Sequence, residues 1–247
     1  MMPQRTRWSV VAALMLAASV WPVAAQDGLT VMYNEKPPFF YTKDGMPAGI
    51  LVDIMLKVAD RSGVAIRFEP VPFNRILQRL KVEEPGVAAL GLSLTEERTA
   101  YAVFSLPLYK DSRPIILARA SRKSGFTSYA RMEDMVSSTN YTYGGVLGNV
   151  YPIDPLLATM GKRDRRWAVS PEQLMLMLTL GRFDFMMIYP EELEYLLATA
   201  GVAASDIAVL AYPDVPDGDY RYLLFSKSVP ADLVDRLNAA IAALKLP

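Results

Sequence analysis

Gly91-Leu-Ser-Leu-Thr-Glu-Glu-Arg98, followed by Phe104-Ser105-Leu-Pro-Leu-Tyr109, is the stretch from which this chain is best read. The apolar run 87–92 that leads into it predicts a buried strand. Ser93 and Thr95 put hydroxyls where that strand ends. Glu96 and Glu97 suit the first turn of a short helix, where negative charge meets the positive end of the helix dipole. Arg98 falls one turn in. A strand end, free backbone N–H groups and a guanidinium fork together make a receptor for a carboxylate. The competing reading is a surface Arg98 paired with Glu96 or Glu97, and spacing alone leaves both open.

On either side, strand and helix patterns alternate. A strand at 29–33 precedes a turn-rich segment. Ile50, Leu51, Ile54, Met55 and Val58 then recur with helical spacing, and Gly63 closes that helix. A strand at 64–68, a helix carrying Phe73, Ile76, Leu77 and Leu80, and the strand 87–92 follow. This βαβαβ order predicts a parallel sheet with right-handed crossovers. A second block spans about 140 to 212. It holds a strand at 141–146, a helical segment within 155–160 and the capping box Ser170-Pro-Glu-Gln173. A buried strand at 183–188 and a helix from Pro190 to near Gly201 complete it. Extended apolar runs at 113–120 and 220–225 read as the connections between blocks, and a helix at 231–244 closes the chain. The expectation is an α/β molecule of two lobes around a cleft. Lobe 1 takes residues 26–114 plus 224–247 and lobe 2 takes 115–223. Ligands of open α/β sheets bind beyond the carboxyl ends of strands, and Arg98 lies at such an end.

The N-terminus bears on where the protein works. Arg5 and Arg7 precede an apolar stretch from residue 8 to 20, then Pro22 and the small residues of Val23-Ala24-Ala25. Residues 1–25 read as a secretory signal peptide cut after Ala25. A membrane-spanning helix wants about 20 apolar residues, and this core is shorter. With no Cys, the N-terminus has no thiol to carry a lipid, so a free soluble protein of the periplasm is expected. About 220 residues remain, enough for one large domain or two modest lobes. The 26 basic and 26 acidic residues balance, so no basic field for nucleic acid exists. Zero Cys excludes disulfides, thiol catalysis and thiolate metal sites. Zero His removes the usual general base, the Ser-His-Asp triad and the commonest metal ligand. No cofactor and no metal are expected.

Four groups of residues carry a family resemblance. Pro37-Pro-Phe-Phe40 with Gly45 and Gly49-Ile-Leu-Val-Asp53 is the first, and Gly91–Arg98 with Phe104–Tyr109 is the most specific. Gly144-Gly-Val-Leu-Gly-Asn149 is the third. Leu180-Gly-Arg-Phe-Asp184 and Tyr222-Leu-Leu-Phe-Ser-Lys227 make up the last. In this order the chain resembles the family 3 extracellular solute-binding proteins of bacterial uptake systems. The resemblance implies a bilobed periplasmic-binding-protein fold of the Venus-flytrap type. It implies that Arg98 grips a ligand carboxylate, helped by Ser93 and the region of Gly91. Asn149 and Val150 would offer backbone N–H groups from the second lobe. Phe73 would form an aromatic wall, with Tyr33 and Phe40 nearby. Two readings of Phe73 stand, wall or core anchor of its helix. Two also stand for Asn149, ligand contact or turn residue.

The chain departs from the family's amino-acid binders at one place. They commonly carry a carboxylate for the ligand amine five residues after the Asp of the Gly-Arg-x-Asp landmark. Here that position is Tyr189, followed by Pro190, Glu191 and Glu192. A phenol cannot neutralise an ammonium in a desolvated cleft. Either Glu191 or Glu192 takes that role or the solute is not an ordinary α-amino acid. The leading expectation is a monomeric, non-enzymatic binder of a small carboxylate-bearing solute, amino-acid-like or organic acid. Its partner would be the permease of an ABC transporter. The rivals are an enzyme of the cyclohexadienyl dehydratase type, with Glu191, Glu192 or Asp184 as its acid, and a free sensor module.

Overall fold

The strand leading to Arg98 is buried at every position, and the first of two sheets is assembled around it. In the computed structural model, which describes residues 28–138, 140–147, 151–160 and 165–246, the first lobe opens with β1 (Gly28–Tyr33) and a hairpin of β2 (Tyr41–Lys43) and β3 (Met46–Ala48). Helix α1 (Ile50–Ser62), β4 (Ala65–Pro70), α2 (Phe73–Lys81) and β5 (Val87–Leu92) follow. One helical turn, α3 (Glu96–Thr99), then leads to β6 (Ala102–Phe104) and β7 (Tyr109–Lys110). The second lobe runs through β8 (Ile115–Arg119), α4 (Lys123–Thr127), α5 (Met132–Ser138), β9 (Tyr143–Val146) and β10 (Arg165–Ala168). It continues with α6 (Pro171–Thr179), β11 (Phe185–Ile188), α7 (Leu193–Ala200) and β12 (Ile207–Leu210). The chain returns to the first lobe as β13 (Tyr220–Ser226) and α8 (Ala231–Ala243).

The first sheet has the order β4-β1-β5-β13-β6. Strands β4, β1 and β5 are parallel, as a βαβαβ pattern requires, whereas β13 is antiparallel to β5, β6 and β7. Alternation along the strands divides the core. Val31, Tyr33, Leu90 and Phe225 face α1 and α8, while Met32, Ala89 and Leu224 face α2. The second sheet, β10-β9-β11-β8-β12, is parallel across β10, β9 and β11 and antiparallel at β8. Helix starts follow the sequence signals. Ser170 Oγ accepts from the Gln173 N–H at 3.2 Å, and Gln173 Oε1 accepts from the Val169 N–H at 2.8 Å. Gly63, in the left-handed region, ends α1.

The two runs read as connections are largely sheet. Residues 115–119 form β8, between β11 and β12, and residues 220–225 lie within β13, between β5 and β6. Tyr220 to Leu223 therefore pair in the first sheet and not in the second lobe. A strand covered on both faces and an apolar connection look alike in sequence. The stretches that pass between the sheets are residues 111–114 and 211–219. They run side by side at the first lobe, where the Asp111 N–H donates to the Asp219 carbonyl at 2.9 Å. A Cβ on Gly218 would collide with the Asp111 carbonyl. The segment 155–160 is a 3-10 turn, Leu156–Thr159. Among the described residues, no helix is long and apolar enough to cross a membrane. The proposed signal peptide lies outside the described residues.

Candidate functional site

Two clusters meet where the lobes face each other. The first grows from the end of β5. Thr95 Oγ1 caps α3 by accepting from the Arg98 N–H at 3.3 Å, which sets the direction in which Arg98 leaves the helix. Arg98 Nη1 then donates to the Ser93 carbonyl at 2.7 Å, and the guanidinium lies 5.9 Å from the centroid of the Phe73 ring. Glu97 does not compete for it, since that carboxylate bonds Lys81 at 3.0 Å. Among the described residues, Arg98 has no carboxylate partner within 4.0 Å. Its fork is therefore held on one side and unspent on the other. Phe73 is 37% exposed, so its ring is not buried as a core anchor of its helix would be.

Gly91, Tyr33 and Phe40 belong to the interior. A Cβ on Gly91 would stand 2.5 Å from Phe40 Cε1, and its φ of +75° is one that L residues rarely adopt. Phe40 is 3% exposed, and Tyr33 is buried with its Oη 2.9 Å from Thr42 Oγ1. Neither ring is open to solvent.

The second cluster is brought by β11. Beyond its end, Tyr189 reaches into the first lobe and sets its ring edge-on to Phe39 at 6.2 Å. Glu191 Oε1 accepts from Tyr109 Oη at 2.6 Å and from Ser112 Oγ and N–H at 2.6 and 3.2 Å. Burial alone would push this carboxyl up, but the Ser112 and Tyr109 hydrogen bonds outweigh it and hold its pKa below the usual range. Glu191 Oε2 is buried with no hydrogen-bond partner among the described residues. Glu192 Oε2 accepts from the Tyr189 N–H at 2.8 Å, and burial pushes its carboxyl up although Lys36 pulls it down.

An ion pair with no signal in the family-like motifs joins the clusters. Asp111, 2% exposed, accepts from Arg221 Nε at 2.7 Å and also contacts Arg221 Nη2. Arg221 Nη1 donates to Ser93 Oγ at 3.2 Å, so Ser93 touches both guanidinium groups. Burial raises the Asp111 pKa. Burial pulls Arg221 down, but the bond to Asp111 outweighs it and keeps the arginine charged. Lys36, in the tight turn before Pro37, places its Nζ 5.2 Å from the Phe39 ring centroid and 5.5 Å from that of Tyr189. Burial, then the Arg221 charge, lower its pKa. The sequence carries no local signal for these three: Lys36 follows Glu35, Asp111 follows Lys110, and Arg221 stands between Tyr220 and Tyr222.

Asp184 stands apart. It precedes β11 while Glu191 follows it, a strand of about 13 Å by its rise. It accepts from the Thr142 N–H and Oγ1, both at 3.0 Å, and faces Arg119 and Arg122. Asn149 and Val150 lie outside the described residues. Among the described residues no group of three His, Cys, Asp or Glu is placed to hold a metal.

Comparison with known proteins matches the model of the bacterial extracellular solute-binding proteins, family 3, to residues 29–246. An arginine-binding periplasmic protein of Mannheimia haemolytica is 28% identical over 130 residues, 52% of this chain and 52% of that protein. The match thus spans about half of each. An ancestral arginine-binding protein solved with arginine superposes with a TM-score of 0.64 at 18% identity, over 89% of this chain and 92% of that one. A histidine kinase sensor domain described as similar to periplasmic binding proteins gives 0.66 at 18% identity, over 88% and 90%.

Proposed function

We propose, since this chain belongs to the bacterial extracellular solute-binding proteins, family 3, that it captures a small carboxylate-bearing solute between its lobes in the periplasm. It would hand that solute, an organic acid or an amino-acid-like compound, to the permease of an ABC-type uptake transporter. The observation that carries the reading is Arg98. Its guanidinium is fixed by the Ser93 carbonyl, backed by the half-open Phe73 ring, and spends no donor on a carboxylate of its own among the described residues. A planar fork so held is preorganised for bidentate capture of a carboxylate. The curated relative that binds arginine supports a small solute with such a group. The cluster suits binding better than catalysis: Asp184 lies apart from Glu191 and Glu192, and Glu191 is occupied by three donors.

The test is a thermal-shift screen of amino acids, organic acids and aromatic acids, followed by calorimetry of the best binder on Arg98→Ala and Arg98→Lys. Removing one partner of a desolvated charge pair costs about 2–5 kcal/mol, roughly thirtyfold to several thousandfold in Kd. Arg98→Lys, which keeps the charge and loses the fork, should recover only part of it. Unchanged affinity in Arg98→Ala would remove the residue from the site.

A further inference from the structure

Beyond Arg98, a second cation, Lys36, lies where Tyr189 of the second lobe meets Phe39 of the first. Lys36 Nζ has three N–H donors, yet among the described residues it has no hydrogen-bond acceptor and no carboxylate within 4.0 Å. Two ring systems lie beside it, and a ring attracts an ammonium without accepting its hydrogen bonds in full. The nearby carboxylates act on it as charges at longer range, and each has one oxygen spent elsewhere. Asp111 is taken by Arg221, and Glu192 Oε2 takes the Tyr189 N–H. Lys36 also stands in a row of cations. Arg98 and Arg221 share Ser93, and Arg221 and Lys36 both approach the Tyr189 ring, at 5.9 and 5.5 Å. Among the described residues, only Arg221 of the three is hydrogen-bonded to a carboxylate. Arg98 and Lys36, at the two ends of the row, thus keep donors that no carboxylate of the described residues takes by a hydrogen bond, although Glu192 and Asp111 lie near enough to act on Lys36.

We propose that Lys36 is a specificity-determining residue that takes a second anionic group, so that the preferred solute is a small dicarboxylate held between Arg98 and Lys36. The inference rests on the reading of Arg98 as the first carboxylate contact. It also argues against a cationic solute, because a guanidinium or ammonium side chain would meet Lys36 and Arg221 in a half-buried space. Tyr189 fits this assignment. It offers a ring to the lysine stem, and adds no negative charge that would satisfy the ammonium in advance.

The experiment is calorimetric titration of the purified protein with acid pairs of equal carbon number. These are succinate against butyrate, glutarate against pentanoate and adipate against hexanoate, with free arginine beside them. A charge-assisted bond predicts that one dicarboxylate binds about ten- to a hundredfold more tightly than its monocarboxylate partner. That surplus should fall away in Lys36→Met and return in Lys36→Arg, with circular dichroism melts showing that both variants fold. Equal affinities within every pair, a surplus that survives Lys36→Met, or arginine binding more tightly than any dicarboxylate would each overturn the proposal. If monocarboxylates bind and Arg98→Ala abolishes that binding while the surplus is missing, only the role of Lys36 fails. If neither series binds, the carboxylate reading fails with it.

Discussion

Glu191 gathers three donors on one carboxylate oxygen, and they come from Tyr109 of the first lobe and Ser112 of the passing stretch. Its pKa is held below the ordinary value of about 4.3. A depressed carboxyl contributes stability that is fully present above its unfolded value and is lost as pH falls through its folded value. Glu191→Gln keeps the acceptor and removes the charge, so it should cost about 1–2 kcal/mol near neutrality. Thermal unfolding between pH 3 and 7 should show wild type above the variant at pH 6 and the two converging in acid. A gap that persists unchanged to pH 3 would show that the charge contributes nothing. At this scale the sequence was unevenly legible. The placement of Arg98, after a buried strand and within a capped turn, was readable because strand, cap and helix are neighbours along the chain. Asp111 and Arg221 stand 110 residues apart, and no local pattern announces such a pair. Tyr33 and Phe40 were placed in the right lobe, but whether a ring lines a cleft or backs it depends on the packing of other elements.

Among the elements, β5 has the least latitude. It is buried throughout, it ends at the two residues that orient Arg98, and its fifth position is Gly91. Alanine there would combine a left-handed backbone penalty with overpacking against Phe40 and Leu51, roughly 2–5 kcal/mol together. Urea unfolding of Gly91→Ala should show that loss, and a midpoint equal to wild type would disprove the tight fit. Helices α1, α6, α7 and α8 were legible because their apolar spacing and end signals agree. The second lobe was harder. Strand β8 was read as a connection because a buried strand has no polar alternation to reveal it. The strands β2, β3, β6 and β7 have two or three residues each, too few to display any period.

Across the whole molecule, the two-lobed plan followed from two alternating blocks and from the family-like motifs, while its boundaries waited on strand pairing. We expect a bound solute to draw the lobes together about residues 111–114 and 211–219. Small-angle scattering should give a smaller radius of gyration with saturating solute, and the melting temperature should rise by mass action. Superimposable profiles with and without solute would count against closure. The closeness of the two passing stretches bears on how that motion runs. They are tied by the bond from Asp111 to Asp219 and by the Arg113–Asp217 pair, with Gly218 leaving no gap between them. Two tied chains bend together as a leaf spring does, but sliding one past the other would break the ties. Free protein should then explore an arc and not a volume, and arresting that single soft mode would forfeit less entropy than arresting two lobes on slack tethers.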